Sequence, residues 1–181
     1  MGETKQGSNV AAMTQTAIFT ALIAVCSWIS IPIPGTSVPI NLATFAVILA
    51  GAVLGRKYGT VAVAIFLLLG AVGAPVFHSF TGGFGIFAGP TGGYLIGYLP
   101  LAFMSGIYKD HADKKWVFPV VTVIGEVILY ILGTLWFTKV TGTAFVPALA
   151  MCVFPFIPGD IAKMIVAYIV AGRLRKAVPA V

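Results

Sequence analysis

Acidic residues are nearly absent from this chain: Glu3, Asp110, Asp113, Glu126 and Asp160 are all of them in 181 residues, and charged residues of both signs make up 9%. A soluble domain keeps about a quarter of its residues charged, so so little charge beside 59% hydrophobic content excludes an ordinary globular enzyme in water. The chain is an all-α integral membrane protein. Two cysteines, Cys26 and Cys152, lie in apolar stretches and form neither a disulfide framework nor a metal knuckle. No Gly-x-x-x-x-Gly-Lys-Ser/Thr loop is present, so the chain carries no phosphate cradle of its own and ATP-driven work requires a partner. His78 and His111 have no carboxylate or cysteine at metal spacing, and no serine sits in a Gly-x-Ser-x-Gly setting. Neither a metal site, a cofactor nor an enzyme is expected.

What the chain does have is long apolar runs bounded by proline, glycine and charge. They place six helices at about 14–31, 40–54, 58–77, 92–108, 116–137 and 146–172, in one domain over residues 1–181 with a polar segment at 1–13. That polar start lacks a short hydrophobic core with a small-residue cleavage site, so no removable signal peptide is read from it. The net charge of +6 is concentrated in loops rather than spread as a nucleic-acid surface. Arg56 and Lys57, then Lys109, Lys114 and Lys115, then Arg173, Arg175 and Lys176 are separated by even numbers of spans, which puts all three groups, and both termini, in the cytoplasm. The opposite loops hold a single lysine, Lys139, and no acid.

One opposite-side loop is rich in glycine, with seven between residues 82 and 97, and such backbone must pack in protein or line a watered cavity. Gly83-Phe84-Gly85-Ile86-Phe87-Ala88 matches a dinucleotide fingerprint as text, but lacks the strand before it and a nearby acid after it; that match is chance. Pro155 and Pro158 break the last span on its outer half. Immediately after them stand Asp160 and Lys163, one helical turn apart in apolar surroundings. Each costs roughly 2.5–3.5 kcal/mol at the centre of a membrane helix, so the pair implies a buried polar site, an acceptor beside a cation. The alternatives are that Asp160 caps the last helix, or that the pair is purely structural. Glu126 is a third intramembrane charged residue, about 15 Å into its helix, which either pairs with Lys163 or is protonated and bonded to a neighbouring helix. Ala17 and Ala21 form a small-x-x-x-small pattern that permits close approach of another helix, from this chain or a partner.

The run Gly89-Pro90-Thr91-Gly92-Gly93-Tyr94 after the glycine loop, with Pro158-Gly159-Asp160-x-x-Lys163 near the end, closely resembles the BioY family, and the order of motifs fits along the whole chain. The resemblance implies a six-helix substrate-binding subunit of an energy-coupling factor transporter in a bacterial cytoplasmic membrane. Such a subunit captures biotin from outside and docks on a transmembrane coupling protein that carries two ABC-type ATPases. It turns Ala17 and Ala21 into a docking surface, and makes Asp160 and Lys163 the receivers of the ureido ring. Thr91, Tyr94 and Ser79, with the amides near Gly83 and Gly92, would complete the polar shell, Phe84 would cover the sulfur ring, and the glycine loop would close as a lid. One departure stands out. Where the family commonly shows Val-Pro-Ile/Phe-Thr-Leu-Gln-Thr, this chain has Val38-Pro39-Ile40-Asn41-Leu42-Ala43-Thr44, so a contact carried by the glutamine is absent or moved to Asn41. A subunit for another vitamin and a stand-alone secondary transporter are the rival readings, although the latter usually shows an internal repeat and none is found here.

Overall fold

The computed structural model describes residues 3–32 and 38–177, and its described elements are almost entirely helical. Helix α1 covers Glu3–Trp28, so the first helix begins well before the expected residue 14 and takes in the polar start. A two-residue hairpin follows, β1 (Ser30–Ile31) antiparallel to β2 (Ile40–Asn41), which was not foreseen in the first outer loop. Then come α2 (Ala43–Ala71), a 3-10 turn at His78–Phe80, and the one-turn α3 (Gly85–Ala88). The chain continues as α4 (Gly92–Asp110), α5 (Val117–Thr141), α6 (Phe145–Cys152) and α7 (Ile157–Ala177).

Helix α2 is two rods rather than one. At Gly55 the backbone turns to φ 86°, ψ 178°, outside helical space, and a Cβ built on Gly59 would lie 2.7 Å from the Gly51 Cα. In a straight helix those residues are about 12 Å apart, so the chain has doubled back. The two limbs, 43–54 and 56–71, stand where two separate spans at 40–54 and 58–77 were expected, each shorter than the sequence suggested. The second ends early because Val72–Phe77 leaves the helix at Gly73, which has φ 103°. Bare glycine backbone makes this hairpin tight enough for α4 to seat against it: a Cβ on Gly51 would come within 2.4 Å of the Ala102 carbonyl, and one on Gly106 within 2.5 Å of the Arg56 nitrogen.

Neighbour contacts fix the direction of every rod. Thr20 bonds to the Ala62 carbonyl and the Trp28 indole to the Pro75 carbonyl, so α1 runs parallel to the second limb of α2. Tyr98 reaches Asn41 and Lys109 reaches the Leu54 carbonyl, so α4 runs parallel to the first limb. Gly93 meets Trp136 while Gly125 meets Leu101, which makes α5 antiparallel to α4. Helix α7 descends along α2, with Lys163 bonded to Thr44 near its start and Arg175 bonded to the Lys109 carbonyl of α4 near its end. The six rods therefore alternate up and down, and the basic residues Arg56, Lys109 and Arg175 collect at one end. Asn9–Trp28 and Val117–Thr141 are each long and apolar enough to cross a membrane, Ala43–Ala71 is equally apolar but is divided between the two limbs of its hairpin, and α6 with α7, bent by 47°, passes as a broken span. The break lies at Val153–Phe156; Pro158 is tolerated because it falls in the first turn of α7, where no intrahelical N–H is required.

Phe66, Phe77, Ile48, Leu101, Leu129 and Phe137 fill the centre, while Ile18, Leu68, Val127, Leu135, Ile165 and Ile169 point outward as a lipid-facing surface should. The first limb of α2, 12 residues from 43 to 54, rises only about 18 Å against about 37 Å for α5. Its N-terminal end therefore stops inside the bundle, and the space above it becomes the cavity described next.

If the glycine seam sets the packing of the bundle, Gly51→Leu should sharply reduce the yield of monodisperse protein in detergent and lower its melting temperature, because displaced backbone costs more than the typical 1–3 kcal/mol of overpacking, roughly. Gly172→Leu, at a position where a Cβ would meet nothing within 4 Å, should melt like the parent. Equal melting of both variants would contradict the seam.

Candidate ligand site

Asp160 is placed by the broken last span. The turn after Cys152 brings Phe156 inward, α7 starts at Ile157, and Asp160 enters its first turn with its amide bonded to the Phe156 carbonyl. Its carboxylate does not cap the helix: Oδ1 accepts from the Lys163 ammonium at 2.9 Å, and Oδ2 accepts from the Tyr130 hydroxyl of α5. Lys163 also donates to Thr44 Oγ1 at 3.0 Å, so one ammonium joins α7 to the start of α2. The ion pair is shielded, with side-chain exposures of 10% for Lys163 and 6% for Asp160.

These groups form one wall of a cavity of about 50 Å³, room for one or two water molecules. Its polar lining is Ser27, Asn41, Thr44, His78, Thr91, Tyr94, Tyr98, Tyr130, Asp160 and Lys163, and its apolar lining includes Val38, Leu95, Leu129 and Phe156. Tyr94 donates to the Cys152 carbonyl at 3.1 Å and lies 3.4 Å from Thr134 Oγ1, which ties the α6–α7 break to α4 and α5. Tyr98 donates to Asn41 Oδ1 at 3.3 Å, and the Ala43 amide donates to the same oxygen at 3.1 Å. Partial burial pushes the His78 imidazole below its usual range, which favours a neutral ring that can donate at one nitrogen and accept at the other.

Of the residues expected at a ligand site, Asp160, Lys163, Tyr94 and Thr91 come together on this cavity. Ser79, Gly83, Phe84 and Gly92 stand outside its lining. Ser79 is exposed in a left-handed turn at φ 56°, and its neighbour His78 faces the cavity instead. The Gly83 amide is bonded to the Gly70 carbonyl, Phe84 is 77% exposed beside Phe87, and Gly92 is glycine because a Cβ there would sit 1.9 Å from the Phe87 carbonyl. Much of the glycine loop is thus committed to packing. Asn41 is on the wall and Ala43 is fully buried behind it, so the polar group of this segment has moved two residues along the chain. Tyr98, Tyr130, Thr44, Ser27 and His78 were not anticipated as lining. The signal for two of them was available: Tyr98 follows Tyr94, and Tyr130 follows Glu126, by one helical turn in otherwise apolar helices.

The BioY family model matches residues 3–180. The chain belongs to the BioY family. A biotin transporter BioY of Thermotoga maritima is 41% identical over 91% of this chain and 95% of its own length, and one of Rhodobacter capsulatus is 39% identical over 88% and 90%. Among solved structures, the S-component for biotin from an ECF-type ABC transporter superposes with a TM-score of 0.87 at 31% identity, covering 94% of this chain and 93% of that one. The BioY fold is thus built here from the alternating rods and broken last span described above.

The Tyr130 hydroxyl is the sole bond between α5 and the buried pair among the described hydrogen bonds to Asp160. Tyr130→Phe is expected to lower thermal stability by an amount typical of a hydrogen bond to a charged group, about 1.5–3 kcal/mol. Differential scanning of the purified protein measures it, and an unchanged melt would mean that the bond contributes nothing.

Proposed function

We propose that this chain is the biotin-binding subunit of an ATP-driven ECF-type uptake system. The observation that carries the reading is the shielded Asp160–Lys163 pair on a hydroxyl-lined cavity in a member of a family whose relatives are biotin transporters. Biotin presents two ureido N–H donors and one carbonyl, an apolar thioether ring, and a carboxylate tail. Asp160 accepts one ureido N–H, using lone pairs left after its two protein bonds, and Lys163 donates to the ureido carbonyl with the N–H not given to Asp160 or Thr44. Asn41, Tyr98 and Thr91 offer further polar contacts, and Phe156 and Leu129 offer apolar surface to the sulfur ring.

The basic end of the bundle is cytoplasmic by its excess of Lys and Arg, which puts both termini inside and opens the cavity end to the exterior. A cavity of about 50 Å³ admits a bicyclic ligand only when its wall moves. The segment from Phe77 to Thr91 is suited to that movement: it forms part of the wall through His78 and Thr91, and Phe80 stacks on Trp28 of α1 at 4.8 Å as a separable contact.

Energy input comes from partners. Ala17 and Ala21 are exposed in an apolar groove of about 680 Å³ between α1 and the second limb of α2, rather than consumed by packing within the chain. This groove is the surface for the transmembrane coupling protein, whose two ATPases supply the hydrolysis that this chain is not equipped to perform.

Calorimetry of the purified protein against biotin, desthiobiotin and thiamine tests the substrate. Biotin and desthiobiotin should both bind through the shared ureido ring, and thiamine should give no heat of binding. Asp160→Asn and Lys163→Ala should each weaken biotin roughly ten- to a hundredfold, the loss expected for a charge-assisted hydrogen bond. Unaltered affinity in both variants would remove the assignment of the pair, and thiamine binding in place of biotin would overturn the substrate.

A further inference from the structure

Glu126 is a buried acid that the ligand contacts above leave unused. It is 4% exposed in the middle of α5, and neither carboxyl oxygen has a hydrogen-bond partner. It lines a crevice of about 230 Å³ between α5 and α7, together with Val127, Tyr130, Ile157, Asp160 and Met164. Tyr130 and Asp160 line this crevice and the central cavity alike, so the hydrogen bond between them is the partition between the two spaces.

The charged and titratable groups that act on Glu126 come from three helices: Asp160 and Lys163 from α7, Tyr130 from its own helix, and Tyr98 from α4. Lys163 is the one cation among them. With a proton, the Glu126 carboxyl is neutral, and the ammonium stays on Asp160 and Thr44 as observed. Without it, a second carboxylate faces Asp160 with no donor of its own, and an unpaired buried charge is strongly unfavourable unless it draws on a counter-ion. The one cation whose charge acts on both carboxylates is the Lys163 ammonium, which is bonded to Asp160.

We propose that Glu126 is a positioning residue that governs the ligand site through Lys163: the protonated acid leaves the ammonium in place for a ureido ligand, and the ionised acid competes for it. Deprotonation releases one proton to water, and ligand binding to the competent form takes that proton back. Binding and protonation are therefore reciprocally linked, each favouring the other. This rests on the biotin reading given above.

The test is the biotin dissociation constant of the full-length protein in lipid nanodiscs from pH 6 to pH 9. It is paired with calorimetry at pH 8 in two buffers of different ionisation heat, which counts protons exchanged on binding. The parent protein should bind about tenfold more weakly at the alkaline end and should take up protons at pH 8. E126Q should hold its pH 6 affinity across the range and take up none. A flat profile in the parent, zero proton uptake, or an E126Q profile that keeps the alkaline fall overturns the role of Glu126. The proton count is made on the parent alone, so it decides the matter even if E126Q fails to fold. A parent protein that binds no biotin at any pH overturns the biotin reading instead.

Discussion

The ammonium of Lys163 holds α7 against the start of α2, and most of the site's geometry depends on it. Bonded at once to Asp160 and Thr44, it neutralises a carboxylate that Tyr130 grips from α5. A buried ion pair is often no more stabilising than a well-packed apolar pair, because desolvation offsets the attraction. Stability alone therefore does not account for an ion pair in the interior of a chain with five acids. The three bonds also leave capacity on both partners, since a carboxylate accepts more than two hydrogen bonds and an ammonium donates three.

Placing that ammonium deep inside requires a first limb of α2 that is short: it starts only at Ala43, after the β1–β2 hairpin, and reverses at Gly55 at the basic end. The reversal works only with glycine on facing surfaces: Gly51 and Gly59 within the hairpin, and Gly106 where α4 crosses it. Side chains at these points would push the rods apart. In lipid, where apolar surface gains little by leaving its surroundings, close backbone packing is the main source of cohesion between helices. The glycines that looked most suggestive of ligand contact, around residues 82–93, belong partly to the same economy, as Gly92 against Phe87 and Gly93 against Trp136 illustrate.

The polar centre was legible because charge is so costly in an apolar chain: Asp160 and Lys163 could be paired from their spacing, and the prolines before them announced the broken helix. Thr91 and Tyr94 were legible from the motif that carries the family resemblance. His78 lines the cavity one residue before the expected Ser79, a difference set by a turn whose handedness was not legible, since Ser79 and Phe80 both adopt left-handed backbone that nothing in their side chains demands. Phe84 was read as a cover for the ligand but lies on the outside of the loop. Asn41 at the end of β2 and Thr44, Tyr98 and Tyr130 from three helices converge only when those elements pack, so no local pattern joins them.

The amino-acid sequence alone determined that this chain enters a membrane as helices, that its basic loops share one side, that its last span breaks, and that an acid and a cation lie one turn apart beyond the break. Each follows from the free energy of placing a particular residue in hydrocarbon or in a helix, a property of short segments. The tertiary structure decided which residues face that pair, that the glycine loop spends much of its backbone on packing, and that Glu126 lies behind the site without a hydrogen bond. Those outcomes depend on how closely whole helices approach and how far each extends, and distances between segments remote in sequence are set by the packing of the entire bundle.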